Sequence, residues 1–316
     1  MPNLPTRLEL RVGGHHGNFT SSAESSQQHH SLRELVPELP EVESAARLLR
    51  SAIEGKALLS ARVLHPALRR RLPRGALRAL TGARVRSVER RGKHQLIRFE
   101  DGRVLHVHFR MNGDWVIGTA SEPLPRFARA IFHFGPAIRV VLEDSRALST
   151  IDVHAAGTEL PLDLGPEPFD PLLTPAALHS ALSRRRIPIK AALLDQRVIA
   201  GLGNIYAAES LWRARIDPRS SASSLDLAAS RRLLSAIRAV IKRATGGRYS
   251  RLAGARLDVY DREGRACRRC RTPIERVVQA GRSTYYCPRC QSAPNLVSVN
   301  RGLPERRSSG RRSRAP

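Results

Sequence analysis

The sequence predicts an α+β protein of more than one domain, and three observations predict it. Apolar residues at helical spacing over 39–53 give way to segments of alternating apolar and polar residues that run to about residue 160. From Pro175 to Ala244 the spacing returns to three and four, the mark of amphipathic helices. Beyond that, two Cys-x2-Cys pairs frame a short β-rich module. A chain of 316 residues has room for two domains of ordinary size.

Taken in order, residues 1–36 are polar and aperiodic, carry no net charge, and are expected to be a disordered extension. Leu39, Val42, Ala46, Leu49 and Ile53 then share one helix face. Pro40 suits the first turn, Glu41 and Glu43 suit its positive end, and Gly55 closes it. Leu96–Glu100 and Arg103–Phe109 flank Asp101-Gly102, a hairpin signal. Leu105, Val107 and Phe109 alternate with His106 and His108, which predicts one buried face. Ile131–Phe134 and Ile138–Leu142 flank Gly135-Pro136, a second hairpin. Residues 37–160 therefore read as a mainly β domain behind a leading helix, and the Pro-, Asp- and Gly-rich residues 161–174 as a linker. Helices are expected at Ala176–Ser183, Ile189–Asp195, Asn204–Ala214 and Leu225–Arg243, within a helical domain over 175–254. The cysteine module occupies 255–292, and the basic tail 293–316 is expected to be disordered.

The charge narrows the function. Fifty-four Lys and Arg against 28 Asp and Glu leave +26, so a polyanionic partner is expected, nucleic acid first. Only Lys56, Lys93, Lys190 and Lys242 are lysines. Genome composition can explain that preference for Arg, but not the excess itself. No apolar run approaches the ~20 residues of a membrane span, and residues 1–36 lack the apolar core of a secretion signal. A cytoplasmic location follows as an expectation.

Cys267, Cys270, Cys287 and Cys290 have the spacing of a zinc site. Four thiolates close a tetrahedral shell, so the ion would be structural and would hold a hairpin too small to fold alone.

One string carries more than all of this. Residues 36–43 read Val-Pro-Glu-Leu-Pro-Glu-Val-Glu. Pro-Glu-x-Pro can simply open a helix, but here it resembles the N-terminus of the formamidopyrimidine-DNA glycosylase family (Fpg/Nei), in its Fpg-like branch. IPIKAALLDQRVIAGLGNIYAAESLWR at 187–213 resembles the family's helix–two-turn–helix signature. LGPEPFD at 164–170 matches its interdomain segment. The resemblance covers about residues 37–292. It implies an N-terminal β-sandwich with flanking helices, a helical helix–two-turn–helix domain, and a zinc-binding β-hairpin.

It also implies a bifunctional DNA glycosylase and AP lyase that removes oxidised bases from double-stranded damaged DNA in base excision repair. Its setting would be the bacterial nucleoid, and the protein a monomer. By resemblance Pro37 is the nucleophile and Glu38 the acid, and Lys93, in SVERRGKHQL at the family's spacing from Pro37, is the strand-borne lysine that fixes the sugar. Met111 fills the void left by an extruded nucleotide, and Arg146 pairs with the orphan base. Leu148 replaces the usual Phe beside Arg146. Lys190 and Asn204 are further contacts to DNA, Asn204 at a helix start that suits a phosphate. Arg282 reaches the phosphates beside the lesion.

Two departures matter. A proline nitrogen within a peptide bond has surrendered its lone pair to the amide and cannot attack carbon. Either translation begins at position 36, where Val36 is what a GTG start codon spells, or Pro37 is blocked and the chain is a silent binder of damaged DNA. Residues 248–258 are also short for this branch, which in longer form closes over flipped 8-oxoguanine. Formamidopyrimidines, hydantoins or oxidised pyrimidines then become comparable substrates, and 8-oxoguanine is not expected to be clearly preferred.

Overall fold

The computed structural model describes residues 36–69, 72–73, 75–245 and 257–292. The expected extension before Val36, most of the short 248–258 segment and the basic tail lie outside the described residues.

Helix α1 (Leu39–Ile53) opens the described chain and matches the predicted span. Strand β1 (Leu58–Val63) and two short helices, α2 (Pro66–Arg69) and α3 (Ala76–Ala79), follow. Strands β2 (Val85–Arg91), β3 (His94–Phe99) and β4 (Val104–His108) form an antiparallel meander, and β8 (Thr150–His154) adds beside β4. The other sheet runs β1-β6-β7-β5, with β5 (Asp114–Gly118), β6 (Ala128–Phe134) and β7 (Ile138–Glu143). Phe132, Phe134, Val140 and Leu142 from this sheet share one buried cluster with Val88, Ile97, Phe99 and Leu105 from the first. Val42, Ala46, Leu49 and Ile53 of α1 complete that cluster, so the first domain is a two-sheet sandwich sealed by a helix.

One expectation is corrected here. His106 is only 8% exposed, so β4 is buried on both faces rather than one. Period-2 alternation marks two faces but not what covers the second.

The second domain is helical: α4 (Pro175–Ser183), α5 (Ile189–Leu194), α6 (Asn204–Ala214), a 3-10 turn at Ala222–Ser224, and α7 (Leu227–Thr245). The predicted start at Leu225 falls two residues early because the 3-10 turn intervenes. Leu39, the first residue of α1, belongs to this helical core and not to the sandwich. Helix α1 therefore begins in one domain and ends in the other. The finger hairpin, β9 (Glu275–Gln279) and β10 (Arg282–Tyr286), packs on α6 through Ala208, Trp212, Val259, Ile274 and Tyr285.

Candidate active site

The junction at the start of α1 is built on Glu38. Its carboxylate accepts the backbone N–H of Ile205 at 2.8 Å and of Tyr206 at 3.2 Å, the open end of α6. That helix end offers unpaired donors and the positive end of a dipole. The contact requires glycine: a Cβ on Gly203 would lie 2.3 Å from Glu38 Cδ. Gly201, at φ +90°, passes equally close to Leu39, and its carbonyl accepts the Leu39 N–H at 3.1 Å.

Glu41 lies behind. It accepts the Glu38 N–H at 2.9 Å and the Tyr206 hydroxyl at 2.5 Å. Burial raises both carboxyls; the Lys93 charge opposes the rise at Glu38, and the Tyr206 hydrogen bond opposes it at Glu41, which reaches about 7. Glu41 can therefore hold a proton where an ordinary glutamate cannot. Pro37 is buried immediately before Glu38.

Lys93 stands in the two-residue turn between β2 and β3, not on a strand as expected, because Arg91 pairs with His94 and Gly92 takes φ +58°. The interdomain segment grips this turn from behind. Glu167 accepts the Gly92 N–H at 2.7 Å and both ends of the Arg90 fork at 2.8 Å, while Arg90 also reaches Glu43 at 2.7 Å. Lys93 is pushed down by burial, opposed by Glu38 and aided by Arg282. Residues 38, 93 and 282, from three separate parts of the chain, thus share one electrostatic neighbourhood. His94 and His108 adjoin Lys93, and burial, with neighbouring cationic groups, lowers them to about 4 and about 3. Sequence reading passed over this histidine row because it looked like the solvent face of a strand.

Lys190, expected as a contact to DNA, lies between α5 and the finger. It is 1% exposed and donates to Ser283 O at 2.9 Å and Thr284 Oγ1 at 2.7 Å, which ties α5 to the finger. Burial lowers it to about 8. Asn204 Nδ2 reaches the same Ser283 carbonyl at 3.0 Å. Arg282, next to Ser283, is exposed at the start of β10.

Met111, Arg146 and Leu148 sit on two adjacent loops, β4–β5 and β7–β8. Met111 is half-buried, Arg146 exposed, and Leu148 43% exposed. The loops are joined by Asn112 Nδ2 to Ser145 Oγ at 3.0 Å. Fully buried Asp144 shapes the second loop, accepting the N–H of Arg146, Leu148 and Ser149 and the Ser149 hydroxyl at 2.7–3.0 Å. Asp144 and Asn112 were not singled out from sequence, although an Asp before a turn is a usable signal.

All four cysteine sulfurs lie within 4.8 Å of one another. The pairs Cys267–Cys290 and Cys270–Cys287 are 4.0 and 3.4 Å apart, near the ~3.8 Å edge that a Zn–S bond of about 2.3 Å gives a tetrahedron. The N–H groups of Arg269 and Cys290 point at Cys267 and Cys287 sulfur at 3.4 Å, as suits thiolates. The residues present fit one structural zinc ion.

Three family models match in succession: the formamidopyrimidine-DNA glycosylase N-terminal domain over 36–151, its H2TH domain over 164–252, and the zinc finger found in FPG and IleRS over 264–293. The chain belongs to the formamidopyrimidine-DNA glycosylase family. A formamidopyrimidine-DNA glycosylase of Paracoccus denitrificans is 38% identical over 280 residues, spanning 81% of this chain and all of the relative. One from Geobacillus kaustophilus is 41% identical over 275 residues with the same coverage. The Lactococcus lactis enzyme, bound to DNA containing an AP site, superposes with a TM-score of 0.75 at 29% identity, covering 81% of this chain and 100% of its own. MutM in complex with carbocyclic 8-oxo-G containing DNA gives 0.74 at 30% identity. Family membership makes the chain a DNA glycosylase of DNA repair with an Fpg-type fold and zinc finger. Among the described residues no helix is long and apolar enough to cross a membrane.

Proposed function

We propose that the chain is a bifunctional glycosylase and AP lyase acting on oxidised bases in duplex DNA, with Pro37 as nucleophile. The observation that carries this is Glu38: a buried carboxyl, raised by burial, fixed on the end of α6 one residue after the proline. A carboxyl raised by burial and set beside the nucleophile is suited to general acid work.

In this reading the free Pro37 amine attacks C1′, the C1′–N bond breaks, and the base departs with a proton. Glu38 protonates the sugar ring oxygen, and the ring opens to an iminium. That intermediate acidifies the C2′ hydrogens, so β- and then δ-elimination expel the 3′ and 5′ phosphates. Lys93 and Arg282 bind the phosphates beside the lesion. Met111, Arg146 and Leu148 occupy the space the nucleotide leaves. Asn204 stands where the backbone meets α6.

The nitrogen must be free, so the active form begins at Pro37. In support, the family model starts at residue 36, and 81% of this chain spans the whole of the Paracoccus denitrificans relative. Solved relatives hold abasic, Fapy-dG and 8-oxo-G DNA. For this chain, formamidopyrimidines and other lesions that pair poorly are proposed ahead of 8-oxoguanine, on the short 248–258 segment.

Borohydride trapping on an AP-site duplex tests the nucleophile. A protein beginning at Pro37 should give a covalent adduct, and one retaining residues 1–36 should give none. Equal trapping by an uncleaved long form refutes Pro37. Absence of trapping by both forms, with DNA binding intact, leaves the silent binder as the function. Single-turnover excision on duplexes differing only in the lesion tests the substrate order.

A further inference from the structure

Helix α6 has a second end. Its N-terminus serves the active site; its C-terminus, about 15 Å away at 1.5 Å per residue, borders an open cavity of about 750 Å³ lined by Arg213, Arg215, Arg231, Arg232, Ser235 and Ala236. All four arginines are exposed. Among the described residues, none of the four guanidinium groups has a carboxylate partner.

The rest of α7 shows that this is not the helix's habit. Arg238 donates to Pro168 O at 2.7 Å and Leu173 O at 2.9 Å, and Arg243 donates to Asp258 at 3.2 Å. Those cations hold the fold. Arg213 has a structural reason to be cationic, since it stands in the last turn of α6 at the negative end of the dipole. Arg231 and Arg232 have no such reason on their own helix. They follow the N-terminus of α7, capped by Asp226 at 2.6 Å, where the dipole offers a cation nothing. Four rigid donor forks of one sign around a concavity match phosphate oxygens. The main chain beneath is fixed: Arg269 of the finger stacks 3.9 Å over Trp212 and donates to the Trp212 and Arg213 carbonyls.

We propose that this pocket is a second nucleic-acid site, which grips the phosphate backbone of a duplex segment other than the one in the active site. Because the two sites lie at opposite ends of one helix, both can be filled at once. The enzyme could then hold a neighbouring segment while it inspects the first, and move between segments without release.

The test uses the full chain with its first site saturated by a duplex carrying a tetrahydrofuran abasic analogue. A labelled undamaged duplex is then titrated and its anisotropy followed. Four phosphate contacts predict a log–log salt slope of about −3.6, so second-duplex affinity should fall roughly 150-fold between about 50 and about 200 mM salt. Arg231→Ala with Arg232→Ala should halve the slope and cut that fall to about tenfold. Arg231→Glu with Arg232→Glu should abolish second binding, with affinity for the first duplex and melting temperature unchanged. As a second variant, Arg213→Ala with Arg215→Gly should also halve the slope, the glycine keeping the φ of +57° at 215. A wild-type chain that takes up no second duplex overturns the proposal. So does a second duplex bound with unaltered slope by these variants, or a pocket that retains an acidic peptide but no duplex. First-duplex binding is read separately, so failure of the active-site reading would be visible as such.

Discussion

The junction at α1 and the β4–β5 and β7–β8 loops, which we propose face DNA, solve opposite problems. At the junction the chemistry-bearing group is itself buried: Glu38 is 1% exposed and accepts helix N–H groups. In the loops the proposed readers Arg146 and Leu148 are exposed, and the buried group is Asp144, which holds the backbone beneath them and the Ser149 hydroxyl. An acid must be kept from water to retain its proton, whereas a side chain that enters a duplex must be free to leave its own protein. The difference separates fold from function: at the junction one residue serves both, and in the loops they fall on different residues.

The largest effect should come from taking away the metal, which removes the support of Arg282 from the junction. Structural zinc contributes on the order of 10 kcal/mol to small fingers. Chelation or Cys267→Ser should therefore unfold the 257–292 module and abolish lesion-site DNA binding, while leaving the sandwich folded. Metal analysis with a DNA-binding titration checks this, and a metal-free protein with full activity would contradict it.

Next is Asp144→Ala, which strands three backbone donors and a hydroxyl in a buried loop. About 3 kcal/mol of stability should be lost, visible as a shifted denaturation midpoint at unchanged slope. Gly203→Ala should strike the junction almost as hard, but in rate. A methyl 2.3 Å from Glu38 Cδ forces the carboxylate from α6. Excision by a Pro37-start enzyme should fall about a hundredfold or more, near 2.7 kcal/mol in barrier. An unchanged rate would show that Glu38 has no need of its seat.

Glu41 predicts a smaller, pH-dependent effect. Its folded value of about 7 exceeds the ordinary 4.5, so the folded state binds the extra proton between the two. Its contribution to stability is full below 4.5, falls as pH rises to about 7, and is then level. The slope is at most about 1.4 kcal/mol per pH unit. Glu41→Gln should remove that slope, as melting across pH would reveal. Smallest on stability should be Arg146→Ala and Leu148→Ala, within about 0.5 kcal/mol, although each should weaken discrimination of the opposite base. A large loss of stability from either would erase the contrast between loops and junction.

Much of this was legible in the chain. Helix α1, both predicted hairpins, the finger cysteines and the residue types of the site follow from periodicity, turn chemistry and short spacings, all of which are local. Lys93 was found by its distance from Pro37, yet its place in a turn rather than a strand depended on Gly92 taking a positive φ. Lys190 was read as a contact to DNA by resemblance; that the carbonyl of Ser283 and the hydroxyl of Thr284 would let it be buried was not written in the chain.

By itself the sequence determined the pair Pro37-Glu38 that we propose to react, the zinc ligands, and the glycines that let backbone approach a carboxylate. Only the tertiary structure decided that Glu38 would dock on a helix end 167 residues away, that Glu167 would hold the Lys93 turn, and that the arginines of α6 and α7 would meet around one cavity. The reason is physical. A spacing or a period is written in side chains, but the partner in most of these long-range bonds is a backbone N–H or carbonyl, and every residue offers the carbonyl and every residue but proline the N–H.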